Sequence, residues 1–214
     1  MTKKNQEMKS TVFQMSGRHL KNHLLFAVLT LILVAVAGPL SLSLNPAEIA
    51  ADSVPSDIAV IAPAILSWIL LAAATYVTSW HVGARDRNLV KYNHITYMKY
   101  KGLWACFLTQ LPGFLLAVMA FAHQMCVLSG WELPPIFIYG NVACRFFYAP
   151  YLWLFELANS HIRLMVYFVP ILIQPALSQW GYHNGYRLFS LRRKIIYKDL
   201  PKEMYPREKD RRTR

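Results

Sequence analysis

The amino-acid sequence predicts an all-α fold, a polytopic bundle of transmembrane helices with four spans. Hydrophobic residues make up 55% of its 214 residues, against about 45–50% in soluble domains. Only 16% of the residues are charged, and they gather in segments that separate long apolar runs. A helix needs about 20 apolar residues to cross about 30 Å of hydrocarbon. Four runs approach that length, at about residues 23–44, 58–80, 103–128 and 162–182.

The N-terminal segment and the first apolar run together predict an uncleaved signal anchor. Residues 1–22 carry five Lys or Arg and one acid. We therefore expect a basic cytoplasmic tail there, either a short interfacial helix or a disordered segment. The run at 23–44 contains no charged residue, and residues 45–57 carry three acids and no Lys or Arg. The positive-inside rule places that connection outside, so the N-terminus is expected to be cytoplasmic.

The basic segment from His81 to Gly102 connects the second and third runs. It contains five Lys or Arg and one acid, and such a bias keeps a connection on the cytoplasmic side. We expect an exposed, folded loop in which the acid pairs with the neighbouring arginines. The segment is also a candidate contact for anionic lipid headgroups or for a protein partner. Its charged residues are Arg85, Asp86, Arg87, Lys91, Lys99 and Lys101.

Three of the runs carry small and polar residues on one helical face, which is typical of helix packing in a membrane. In the second run this stripe consists of Pro63, Ser67, Ala74 and Thr78. In the third it consists of Gln110, Gly113, Ala117, Ala120 and Gln124, and in the fourth of Pro170, Gln174, Ser178, Gly181 and Gly185. The Gln110, Gln124 and Gln174 side chains are also candidates to line a solute path if several copies assemble.

Residues 131–160 are dense in aromatic side chains and allow two interpretations. Interpreted as a fifth span, they would place the C-terminal segment outside. That segment, residues 183–214, carries eleven Lys or Arg and four acids. We therefore predict a basic cytoplasmic tail and an N-in/C-in topology, with residues 131–160 lying in the outer interface or dipping part-way into the membrane. Arg145 and Glu156 lie about three helical turns apart and are expected to form an outer-face ion pair.

The chain lacks the motifs of the common enzyme and cofactor-binding classes. It contains no GxSxG or HExxH motif and no phosphate-binding GxxxxGK[ST] loop, so we predict no catalysis, no cofactor and no metal. The net charge of +12 could indicate nucleic acid, but the cations adjoin the apolar runs, as they do beside a membrane. Cys106 is about 30 Å from Cys126 on one predicted helix and cannot bond to it. We expect the three cysteines to be small apolar side chains outside any disulfide framework; the alternative is a bond between Cys126 and Cys144 near the outer surface.

Two short motifs resemble those of a family of small, uncharacterised bacterial membrane proteins. One runs from Gly83 to Lys91 and continues at residues 99–102. The other consists of the glycine–tyrosine pairs at residues 181–182 and 185–186, followed by residues 194–198. The resemblance implies a multi-pass protein of the bacterial inner membrane, and it implies no activity.

The separation of charge from the apolar runs indicates the class of function. Because no Asp, Glu, Lys or Arg lies in the middle of a predicted span, intramembrane ion chemistry is not indicated. We predict an integral membrane accessory or scaffold protein that presents a basic cytoplasmic face to a protein partner, to a second copy or to anionic lipid. The alternative is a small transporter or channel subunit that works as an oligomer or with a partner ATPase.

Overall fold

Six α-helices make up most of the chain described by the structure, which is a computed structural model. The description covers residues 3–44, 57–131, 134–157 and 165–187. In chain order the helices are α1 (Lys3–Leu44), α2 (Asp57–Lys91), α3 (Lys101–Ser129), α4 (Pro135–Phe147), α5 (Leu152–Leu157) and α6 (Val169–Tyr186). Strands are absent from these ranges, and the predicted all-α class is confirmed.

Three of the helices are long and apolar enough to cross a membrane. The candidate spans are Thr11–Ala37 in α1, Val60–Lys91 in α2 and Lys101–Ser129 in α3. They overlap the first three predicted runs. The fourth predicted run corresponds to α6, which is not among these candidates and begins only at Val169. Residues 162–164 of that run lie outside the described ranges, as does the segment 188–214.

The helices extend further into the charged segments than the sequence predicted. α1 begins at Lys3, so the boundary expected at residue 22 does not coincide with a break in the helix. α2 continues to Lys91, which leaves only residues 92–100 as the connection to α3. The first half of the predicted basic loop is therefore helical. Arg, Lys and Leu are all good helix formers, and no Pro interrupts this stretch.

The long helices and α6 form the bundle, with α2 and α6 in the most extensive contact. Gly83 of α2 lies against the Tyr182 carbonyl, and Gly181 and Gly185 lie against the carbonyls of Tyr76 and Trp80. A Cβ atom added at Gly185 would lie 2.0 Å from the Trp80 oxygen. Only glycine permits so close an approach of two helix backbones.

The predicted packing stripes agree with the buried faces in two of three helices. In α6 all five stripe residues are buried, and in α3 four of the five are buried and Gln124 is half-buried. In α2 only Ser67 of the predicted four is buried, and Pro63, Ala74 and Thr78 are half-buried, so the predicted stripe lies at the edge of the buried face. The buried face of α2 lies about one residue further round the helix, along Ala64, Ser67, Leu71, Thr75 and Ser79.

The aromatic segment folds into a helical hairpin, residues 135–157, that reaches into the bundle. Asn141 of α4 bonds to His123 near the end of α3, and the hydroxyl of Tyr148 bonds to Gln110 in the first half of α3. A 3-10 turn at Ala149–Tyr151 then leads into α5. The tip of the hairpin, residues 148–151, is buried. Its aromatic rings form the main core with Leu71, Ala117, Ala120, Cys144, Phe155 and Tyr167.

Candidate functional site

Four polar side chains meet at the hairpin tip, inside the apolar bundle. His23 comes from α1, Gln110 from α3 and Gln174 from α6, and Tyr148 is the residue immediately after α4. Each is no more than 1% exposed. Polar groups in such surroundings are costly unless they are hydrogen-bonded, and in membrane helices they mark helix contacts or functional sites.

The hydrogen bonds among these side chains run in a single direction. The Phe147 carbonyl can only accept, so Nε2 of His23 donates to it over 2.9 Å, and Nδ1 of the neutral ring accepts from the Gln174 amide. The Gln174 carbonyl oxygen then accepts from the Gln110 amide. The Gln110 carbonyl oxygen accepts from the Tyr148 hydroxyl over 3.0 Å. The chain of bonds starts at Tyr148 and ends at Phe147, so it closes into a polar ring through the hairpin tip.

A second cluster lies closer to the end of the bundle where α2 finishes and α3 begins, which we call the basic end. Nε2 of His19 is 3.2 Å from the hydroxyls of both Ser79 and Ser178, and these hydroxyls are 2.9 Å apart. Ser178 donates to the Gly102 carbonyl, which joins α6 to the start of α3. In the described part of the chain, Nδ1 of His19 has no hydrogen-bond partner. This serine cluster connects all four main helices of the bundle.

His19 precedes the predicted first span and His23 is its first residue, and neither was among the predicted site residues. Both are fully buried. The available signal was their position: Val12, Met15, His19, His23, Ala27 and Thr30 recur every three or four residues and form the buried face of α1.

At the basic end, a buried ion pair replaces the expected pairing of Asp86 with neighbouring arginines. Nζ of Lys101 is 2.6 Å from Oδ2 of Asp86, and the Tyr182 hydroxyl donates to the same oxygen over 3.1 Å. Asp86 and Lys101 are each 1% exposed. The expectation of an exposed, weak pair is therefore wrong. The three residues belong to α2, α3 and α6, so this interaction ties together three helix ends.

The remaining charged residues of the basic segment form a basic surface outside this pair. Arg85, Lys91 and Lys99 are exposed and Arg87 is half-buried. The Lys99 ammonium lies 5.2 Å from the centre of the Tyr100 ring, and that of Lys91 lies 5.9 Å from the centre of the Tyr92 ring. Four of the six predicted contact residues are therefore available to a partner, and Asp86 and Lys101 are not.

The other predicted site residues lie outside both the polar ring and the basic surface. Nη1 of Arg145 is 4.0 Å from Oε1 of Glu156, and both side chains are more than a third exposed. An exposed pair at that distance contributes about 0–1 kcal/mol. Gln124 is half-buried and about 21 Å along α3 from Gln110 by helical rise. The structure thus brings Gln110 and Gln174 together without Gln124.

Neither the described side chains nor known proteins supply a catalytic or metal-binding assignment. Within the described ranges, no three His, Cys, Asp or Glu side chains are grouped as a metal site requires. Comparisons of the chain with protein-family models, curated proteins and solved structures find no match. What the fold defines is a class: the length and apolar character of α1, α2 and α3 are those of a multi-pass membrane protein.

Proposed function

We propose that the protein is an integral membrane accessory or scaffold protein of a bacterial inner membrane. In this proposal the chain crosses the membrane four times, with both termini and the basic end in the cytoplasm. The basic surface of Arg85, Arg87, Lys91 and Lys99 then binds an acidic segment of a cytoplasmic protein partner.

One observation carries the proposal: the buried Asp86–Lys101 pair, which lies beneath the basic surface. It joins the ends of α2 and α3 to Tyr182 of α6. A cation on a flexible loop loses side-chain and backbone freedom when it binds. Arg85, Arg87 and Lys91 are held on the end of α2 and lose less, so a preorganised basic surface favours a specific partner. Complementary charge also accelerates the encounter with that partner.

The test is affinity purification of the full chain in mild detergent, with three of the four cations of the basic surface neutralised by Arg87→Gln, Lys91→Gln and Lys99→Gln together. The matched control exchanges the cations without loss of charge, as Arg87→Lys, Lys91→Arg and Lys99→Arg. We expect a stoichiometric cytoplasmic partner with the native chain and with the control, and at least a tenfold reduction with the neutralised chain. Equal recovery of the partner by all three chains would refute the proposal, as would purification of the native chain alone.

The polar ring favours one second candidate, a small transporter or channel subunit. Gln110 and Gln174 meet His23 within a single chain, at the tip of a hairpin that ends inside the bundle. Broken helices that meet between spans form the substrate sites of many transporters. A path through this ring would lie within each copy of the chain.

A flux assay in liposomes separates the two candidates. Gln174→Leu abolishes flux if the ring lines a path, and it merely weakens helix packing if the protein is a scaffold. Gln179→Leu is the matched control, because Gln179 bonds to the Leu103 amide and the Lys99 carbonyl at the basic end. No flux by the native chain under any gradient would exclude transport by this chain alone.

A further inference from the structure

A basic cleft lies between α1 and α2, and none of its lining residues belongs to the polar ring or the buried ion pair. It is lined by Arg18, Lys21 and Asn22 of α1 and by Thr78 and His81 of α2, and its volume is about 560 Å³. The amide of Asn22 donates to the Thr78 hydroxyl over 3.1 Å and links the two walls. The side chains of Arg18, Lys21 and His81 are exposed.

The chemistry of the cleft matches an oxyanion. Two of the five lining residues are permanent cations and none is acidic. The His81 ring and the Asn22 amide add further donors. Arg presents a planar fork that binds phosphate oxygens through two parallel hydrogen bonds, and Lys adds a point charge. Basic pockets of this kind between transmembrane helices bind the phosphates of lipid headgroups.

An apolar strip leads away from the cleft along α1. Leu25, Val28 and Ile32 are 59%, 56% and 55% exposed, and they follow Lys21 at helical spacings of three or four residues on one face. Val77, beside Thr78 on α2, is 49% exposed. A charged cleft continuous with an apolar strip has the polarity of a phospholipid, whereas free phosphate would use only the cleft.

We infer that the cleft binds a phosphate group presented by an anionic phospholipid, with an acyl chain lying along Leu25, Val28 and Ile32. The residues involved are not those of the basic surface, so the site stands or falls independently of the proposed protein partner. The bound lipid links α1 to α2 on the lipid-facing surface of the bundle.

Native mass spectrometry of the full chain in an uncharged detergent tests the inference. The chain is titrated separately with phosphatidylglycerol, with phosphatidylcholine and with inorganic phosphate. The key variant is Arg18→Gln with Lys21→Gln, and Arg187→Gln at the exposed end of α6 is a control for loss of charge. Because all three side chains are exposed, these exchanges leave the core intact, which the thermal unfolding midpoint of each chain verifies.

We expect one phosphatidylglycerol to remain bound and the double variant to bind it at least about tenfold more weakly, since both cations near the phosphate contribute. Arg187→Gln should bind it within about twofold of the native chain. Equal binding of phosphatidylcholine, or unchanged binding by the double variant, would overturn the inference. Inorganic phosphate bound as tightly as the lipid would also overturn it, in favour of a soluble phosphate ligand.

Discussion

Tyr148 is the residue whose hydroxyl fastens the hairpin tip to α3, and Tyr148→Phe removes that single oxygen. The Gln110 carbonyl then loses its donor in a site from which water is excluded. Hydrogen bonds between membrane helices average about 0.6 kcal/mol and reach about 1.7, so we expect a loss of about 1 kcal/mol in unfolding free energy. Unfolding in mixed micelles measures it. Tyr139→Phe, at a side chain that is 72% exposed, is the control and should have little effect; equal losses would contradict the ring.

The Asp86–Lys101 pair allows a double-mutant cycle. Asp86→Leu leaves a buried ammonium without its counter-charge, and Lys101→Met leaves a buried carboxylate. Each single exchange is expected to cost about 3–5 kcal/mol. The double variant, with no buried charge, should be more stable than either single variant. Unfolding free energies of the four chains, compared in one detergent, give the coupling energy. Additive losses would mean that the two charges do not interact.

Two residues of the polar ring were predicted from the sequence and the others were not. Gln110 and Gln174 were identified because each lies on a small-residue face of its helix. Their common partner His23 was not, since a histidine near the end of an apolar run fits a membrane boundary equally well. Which glutamine contacts which histidine depends on the axial offset between α1 and α6. The helical period of a sequence contains no information on that offset.

The contact between α2 and α6 depends on glycine. We therefore expect a Gly→Ala exchange to destabilise the chain at Gly185, inside this contact, and to stabilise it at Gly17, outside the contact. Gly185→Ala would place a methyl group 2.0 Å from the Trp80 carbonyl, so the helices must move apart. We expect a loss of about 1–3 kcal/mol in unfolding free energy. Gly17→Ala in α1 meets no atom within 4 Å and should stabilise the chain by about 0.5–1 kcal/mol, because alanine is the better helix former.

The same unfolding measurement in detergent decides this prediction, and the sign of the difference is the result that matters. If Gly185→Ala were neutral, the close approach of the two helices would not occur. A loss at Gly17 would mean that the exposed face of α1 is covered by something other than solvent or lipid.

The predicted stripe of α2 is displaced by about one residue from the buried face, because the helix carries small residues on more than one side. Ala72, Ala73, Ala74 and Thr75 are consecutive, so a criterion of small size selects no unique face. In α6 small residues occur mainly on one face, and the stripe was correct. Helix existence followed from apolar length alone, whereas the hairpin at 135–157 could be recognised only as an aromatic segment of uncertain depth.

At the scale of the whole molecule, the position of the end of α6 bears on the number of membrane crossings. Tyr182 of α6 bonds to Asp86 of α2, and the Tyr186 ring lies 4.3 Å from that of Tyr97. The end of α6 therefore lies beside the connection between α2 and α3. This proximity supports an even number of membrane crossings between the α2–α3 connection and the end of α6, as the four-span proposal requires. A fifth span would place that connection and the end of α6 on opposite sides of the membrane, so the proximity disfavours it.

Cysteine labelling in intact cells tests the proposed topology. The native thiols of Cys106 and Cys144 are buried and should remain unlabelled, so labelling of Cys144 would not distinguish four spans from five. Cys126, which is partly buried, is replaced by Ser. Single cysteines are then introduced in that chain at exposed positions at the two ends of the bundle.

The informative positions are Tyr92 and Arg187 at the basic end and Trp131 after α3, all three of them exposed. With four spans and cytoplasmic termini, a membrane-impermeant maleimide should label Trp131→Cys in intact cells. Tyr92→Cys and Arg187→Cys should react only after the membrane is permeabilised, because the positive charges near them hold that end inside. Labelling of Arg187→Cys but not Tyr92→Cys in intact cells would establish five spans. Labelling of both Tyr92→Cys and Arg187→Cys in intact cells, with Trp131→Cys protected, would show the opposite orientation. The basic surface would then lie outside, where no cytoplasmic partner could reach it.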